Sequence, residues 1–240
     1  MNWKDNSYYS GARLMFPILP SVIIFGLIFG ITGFTNGLPL YLVSSMSYII
    51  FAGSSQFLVL ILITQDDSLI AILVAGILIN LRHVFYGAAL HHELVGSRKK
   101  KILAAYLLTD EAYLITKFAK KSMLKSNREL RLTNILIGGG GLLWISWNIC
   151  TIIGYFIGQK TNIFNDVSTN FIVAATFLGY LILQWEQSPK ERKFILIIII
   201  LSFSLSFVLD GVYLLFFTLV AGMVFAQMFF PLEKYEGDEI

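Results

Sequence analysis

Long apolar runs dominate the chain and are joined by short polar stretches. Seven of them, at about 14–34, 41–63, 69–90, 134–158, 171–185, 194–209 and 212–230, read as helices that cross a bilayer. The longer ones meet the roughly 20 residues needed to span a hydrocarbon core of about 30 Å. Only Asp210 and Gly211 separate the last two, so they form either a tight hairpin or one bent element. The run at 102–116 is shorter, about 22 Å if helical, and falls short of a crossing.

Charge decides how that short run sits. Arg98, Lys99, Lys100 and Lys101 precede it, and Lys117, Lys120, Lys121, Lys125, Arg128 and Arg131 follow, together more than half of the 18 Lys and Arg. Short basic loops stay on the cytoplasmic side, so the segments 91–101 and 117–133 both read as cytoplasmic. The run between them then dips into the membrane and returns, or lies along its surface. The predicted fold is therefore an all-α, polytopic transmembrane bundle in one domain (1–240), with about seven spans and one short re-entrant or interfacial helix. Counting outward from the basic anchor puts Gln65, Asp66 and Asp67 outside and the amino terminus outside, although Lys4 and Arg13 argue against the latter.

Composition agrees with a membrane chain: 56% of residues are hydrophobic and 14% charged, too little polar surface for a soluble protein. The first run is too long for a signal-peptide core and reads as a retained span. Cys150 is the sole cysteine, which excludes a disulfide framework and a cysteine metal site. A net charge of +3 is too small and too localised to point to nucleic acid. No zincin pair, nucleophile elbow or phosphate-cradling loop occurs, so neither an enzyme nor a cofactor is expected, and His91, His92 and Glu93 lack metal-ligand spacing.

A faint internal repeat joins Gly26 and Gly30 in the first span to Gly154 and Gly158 in the fourth, within larger repeats at 14–90 and 134–209. With three crossings between them the repeats would be inverted, as in many secondary transporters. Gly-xxx-Gly spacing is also the ordinary means of close helix packing.

A charge at mid-bilayer costs at least about 2.5–3.5 kcal/mol, so polar groups inside the runs carry the chemistry. Gly53, Ser54, Ser55 and Gln56 interrupt the second span, where an unwound turn would offer free amides and carbonyls to a zwitterion. Asn80, Arg82 and His83 stand in the third. Arg82 cannot shed its charge, so it either snorkels to the headgroups, clamps a carboxylate or pairs with an intramembrane acid. His83 titrates near neutral pH and suits a proton relay. Asp110 and Glu111 sit in the dipping run and point about 100° apart on a helix, so that one faces Arg82 and the other an aqueous vestibule. Trp147 and Asn148, with Trp144 and Thr151, add an aromatic wall and amide groups to the fourth span. Each set also has a plain reading as glue between helices.

In this order, the stretch ending at Gln56, the Asn80 to His83 block, the Asp110–Glu111 pair, and Trp147, Asn148, Thr151, Gly154 and Gly158 resemble the AzlC family, the large subunits of branched-chain amino acid exporters. The resemblance runs from about Gly11 to the carboxyl terminus. It implies export of leucine, isoleucine or valine across the plasma membrane, with protons moving inward and a small hydrophobic subunit of the AzlD type as partners. In that frame Gly53, Ser54, Ser55, Gln56, Asn80, Arg82, Trp147 and Asn148 are expected to bind cargo, and His83, Asp110 and Glu111 to couple protons. A scaffold without transport, or a channel, would use the same polar groups only to join helices or line a pore.

Overall fold

A computed structural model describes residues 7–126, 131–160, 192–209 and 211–229, with positions 178, 182 and 185 between them. Every element is helical, with no strand among the described residues. The amino-terminal helix α1 (Ser7–Met15) runs through a 3-10 turn at Phe16–Ile18 into α2 (Leu19–Thr35), where Pro17 and Pro20 fall at helix starts that need no backbone donor. Next come α3 (Leu40–Ile49), α4 (Gly53–Thr64), α5 (Leu69–Leu90), α6 (Arg98–Tyr106), α7 (Asp110–Ser126) and α8 (Leu132–Lys160). The described chain ends with α9 (Arg192–Leu205) and α10 (Gly211–Phe229). Among the described residues, three stretches are long and apolar enough to cross a membrane: Ser7–Thr35, Leu69–Leu90 and Leu132–Lys160. All but positions 178, 182 and 185 of the expected span at 171–185, and the turn residue Asp210, lie outside the described residues.

The tightest packing is between α1–α2 and α8. At Gly30 the backbone of Thr151 leaves no room for a side chain, at Gly154 that of Leu27, at Gly11 that of Ile135 and at Gly138 that of Tyr8. α1 meets residues 135–138 and α2, further along, meets 151–154, so α1–α2 and α8 run in the same direction. The inversion expected of the two Gly-xxx-Gly segments is thus not carried by this pair, which instead presses face to face; the larger repeat reaches into undescribed residues. Phe29 stacks on Trp147 with ring centroids 6.2 Å apart and adds apolar contact to the seam.

The second expected span does not cross. α3 and α4 fold back on each other: Gln56 donates from Nε2 to Ser47 Oγ at 3.0 Å, although nine residues of continuous helix would hold them about 13 Å apart. The reversal occupies 50–52, where Phe51 takes φ +44° and Ala52 is extended. Both outer ends lie at one end of the bundle, since Tyr155 near the end of α8 donates to Leu38 O at 3.0 Å and α4 runs antiparallel to α5, Ser54 meeting Arg82 and Val59 lying beside Gly76.

α6 and α7 make the matching reversal from the opposite end, the first of the two arrangements that their basic flanks allow. Glu93, just past α5, pairs with Lys120 at 3.0 Å and Lys117 at 3.9 Å on the returning helix. Val95 exchanges two 2.9 Å hydrogen bonds with Thr133 at the start of α8. Arg131 N donates to Ser7 Oγ at 3.3 Å, and Lys100 lies 5.4 Å from the centre of the Tyr8 ring. The start of α1 therefore sits among the basic segments. This corrects the count that placed the amino terminus at the other end, because that count treated 41–63 as a crossing.

Candidate functional site

The two hairpins enter from opposite ends and their tips meet about halfway along α8. Arg82, on α5 and about 12 Å before its end at Leu90, joins the tips. Its Nη2 donates to Ser54 Oγ at 2.6 Å, and its Nη1 pairs with Asp110 Oδ2 at 2.7 Å. Ser54 is the second residue of α4 and Asp110 the first of α7, so one guanidinium holds the returning half of each hairpin. Only Arg has a planar fork with separate N–H groups for two such partners. The pair is partly open, with side-chain exposures of 33% for Arg82 and 17% for Asp110. Arg82 Nε and Asp110 Oδ1 are buried without a partner among the described residues.

The two helix starts differ. Thr109 caps α7, its hydroxyl accepting from Ala112 N at 3.2 Å, and Asp110 and Glu111 place negative charge in the first turn, where the helix dipole favours it. α4 has Ala52 at its cap position and no side chain to bond its free amides. Its first bond runs from Gln56 N to Ala52 O at 2.9 Å, which leaves the amides of Gly53, Ser54 and Ser55 ahead of the ladder, beside Arg82. An uncapped helix start next to a cation is suited to an anionic group.

On the α5 side, Asn80 donates to Ser55 Oγ at 3.1 Å, while its Oδ1 is buried and unused. On the other side of α4, Ser47 is a hub that sequence reasoning missed. Its oxygen accepts from Gln56 Nε2 at 3.0 Å and Trp147 Nε1 at 3.2 Å, and lies 3.1 Å from Thr151 Oγ1. With both acceptor sites taken, its proton goes to Thr151. Gly53 lies against the Trp147 ring, where an added Cβ would come within 3.0 Å. The signal for Ser47 was faint: three serines, Ser44, Ser45 and Ser47, in an otherwise apolar helix.

The structure thus brings Ser54, Arg82 and Asp110 into direct contact, with Ser55 and Asn80 beside them and Gly53, Gln56 and Trp147 behind. Asn148 reaches only Trp144 O on its own helix, at 2.8 Å, with its Oδ1 buried and unused. His83 Nδ1 lies 3.3 Å from Asn80 O, and its ring meets Tyr86 edge-on. Glu111 is half-buried and outside the Arg82 ion pair. Among the described residues, no cluster of His, Cys, Asp and Glu has metal-binding geometry.

Replacing Ser47 by Ala strands the Gln56 and Trp147 donors together. Each orphaned buried group costs about 1–3 kcal/mol, so the variant should melt several degrees below the parent in detergent. An unchanged melting temperature would mean the hub contributes nothing to stability.

Comparison with known proteins places this geometry. The family model described as "AzlC protein" matches residues 17–160, which includes both hairpins, α5 and all of α8. The chain belongs to the AzlC family. Among its relatives, the inner membrane protein YgaZ of Escherichia coli (strain K12) is 26% identical over 77% of this chain and 76% of its own length. The branched-chain amino acid transport protein AzlC of Bacillus subtilis (strain 168) is 26% identical over 73% of this chain and 66% of its own length. An uncharacterized membrane protein of Archaeoglobus fulgidus is 27% identical over 75% of this chain and 76% of its own length. No solved structure matches the chain. The AzlC match stops at Lys160, where α8 ends, so the hairpin tips and Arg82 all lie within the family's shared part.

Proposed function

We propose that this AzlC-family chain is the large subunit of a two-component secondary transporter that exports branched-chain amino acids across the bacterial plasma membrane in exchange for protons. A small hydrophobic subunit of the AzlD type completes it. The observation that carries this reading is the Arg82 bridge between hairpin tips that enter from opposite ends. The printed name of the Bacillus subtilis relative supports the cargo class.

The cargo carboxylate is received by the uncapped start of α4, at the amides of Gly53, Ser54 and Ser55, and by Arg82. Its ammonium is received by Asp110 and the unused amide oxygen of Asn80. Gln56, held by Ser47, and Trp147 back the site, while Asn148 adds a polar group on α8. The bridge needs Arg82 free of other anions and Asp110 ionised. A carboxylate on Arg82 undoes it in one way, and a proton on Asp110 in another. A carrier whose tips part with either one loaded, and stay tied with neither, exchanges the two. His83 and Glu111 flank the pair as further proton-carrying groups.

The test is leucine release from cells loaded with a leucine-containing dipeptide and co-expressing the small subunit. External leucine should rise several-fold over cells lacking this chain, and a protonophore should abolish the excess. Asp110→Asn should weaken the dependence of release on external pH. No excess release in the presence of both subunits would sink the exporter reading, and release indifferent to the protonophore would sink proton exchange.

A further inference from the structure

Four aromatic side chains gather where the hairpin tips meet α8, three on the hairpins and one, Trp144, on α8. Phe51, at the turn of the first hairpin, lies with its ring centroid 6.2 Å from that of Tyr106, at the end of α6 in the second. The Tyr106 hydroxyl donates to Tyr48 O and accepts from Trp144 Nε1 at 2.7 Å, and the Tyr48 and Trp144 rings meet at 5.3 Å. The polar edges of Tyr106 and Trp144 thus satisfy each other or the backbone, which leaves ring faces as apolar surface. Tyr48 and Tyr106 are 44% and 39% exposed, whereas Phe51 is 4% exposed and anchors the group.

The backbone at Phe51 gives an independent argument. Its φ of +44° is the left-handed region, unfavourable for a bulky residue and natural for glycine. Gly53 stands two positions later, so a reversal that needed only to turn had the residue for it close by. Strain of this kind persists where a particular side chain is required at that point.

Phe51 precedes Ser54 by three residues and Tyr106 precedes Asp110 by four. Each tip therefore presents a polar group to Arg82 and, a few residues earlier across its reversal, a ring to the opposing tip. A molecule with a charged head and a short apolar tail matches that spacing.

Resting on the exporter reading above, we infer that Phe51, Tyr106, Tyr48 and Trp144 form the wall that receives the apolar side chain of the cargo and sets its size limit. Tyr106, tied by its hydroxyl on one side and packed on Phe51 on the other, is the specificity-determining member. Cutting it back opens room for a larger side chain without touching the groups that hold the carboxylate and ammonium.

The experiment is inhibition of labelled leucine exchange by alanine, valine, leucine, phenylalanine and tryptophan, in proteoliposomes holding both subunits. With Tyr106→Ala, or with Tyr106→Leu where the alanine variant does not accumulate, the preference for leucine over phenylalanine should fall at least tenfold. Tyr106→Phe, which keeps the ring, should retain the wild-type order. An unchanged order in both truncated variants, with exchange still running, would overturn the wall. Wild-type protein that exchanges no amino acid would instead defeat the exporter reading.

Discussion

Leucine export by Arg82→Lys is expected to fall at least tenfold, a loss of about 1.4 kcal/mol in transition-state stabilisation, with the protein still present in the membrane at near wild-type level. A lysine keeps the charge. It lacks the flat fork that bonds Ser54 at 2.6 Å and Asp110 at 2.7 Å through separate nitrogens, so it can hold one tip firmly but not both. Arg82→Ala goes further, because it leaves Asp110 without its counter-charge. Breaking a buried pair costs about 3–5 kcal/mol, and the partial exposure of this one puts it at or below the lower end. Removing both charges in Arg82→Ala/Asp110→Asn should therefore restore much of the stability lost in Arg82→Ala, without restoring export. The two readouts, melting temperature and flux, separate the structural work of the pair from its work on cargo. Equal export by wild type and Arg82→Lys would mean that simultaneous ties to the two tips are not needed.

Gly154→Ala is expected to deplete the folded protein severely. A methyl group there meets the backbone oxygen of Leu27, which cannot rotate aside, so α2 and α8 must separate along their seam. Overpacking costs about 1–3 kcal/mol where side chains can yield, and more where backbones must part. Gly30→Ala makes the reciprocal collision with Thr151 O and should behave alike. Gly141 supplies the control: it lies on the same helix, an added Cβ finds nothing within 4 Å, and Gly141→Ala should be neutral or slightly stabilising. Yield and melting temperature in detergent read all three. Similar behaviour of the 141 and 154 variants would refute the close seam.

The pattern of charge made one hairpin legible and its absence hid the other. Lys and Arg on both flanks of 102–116 fixed both ends to one side, and the structure returns α7 to Glu93 as that requires. The segment 41–63 has no such flags: Pro39 precedes it and Gln65, Asp66 and Asp67 follow, signs that fit a crossing equally well. Hydropathy measures how apolar a stretch is and is blind to reversal, so one 23-residue crossing and two half-length helices read alike. The polar interruption was located correctly to within a turn. Gly53 to Gln56 begin the returning helix, while the reversal itself is at Phe51, an aromatic residue no turn rule would select. The cost of a lone charge at depth left Arg82 three fates, one of them an ion pair with an intramembrane acid, and did not choose between Asp110 and Glu111; the structure pairs it with Asp110. Ser47 did not follow, because a serine in an apolar helix gives no sign of which neighbours will meet it across the fold.

The opposed hairpins also constrain how the chain is made. Neither 40–64 nor 98–126 can be threaded across the bilayer as it leaves the ribosome and then stopped, since each must end on the side where it began. Arg82 can tie the tips to each other once α7 is made, but their anchors on the long helix come last, for Trp147 and Thr151 complete the Ser47 hub and Trp144 secures Tyr106. Nascent chains ending before Leu132 should therefore hold both hairpins loosely at the membrane surface, open to protease, and those extending past Lys160 should draw them in together. Insertion of this protein is then a late, cooperative event governed by one long helix, and not a sequence of independent stitches.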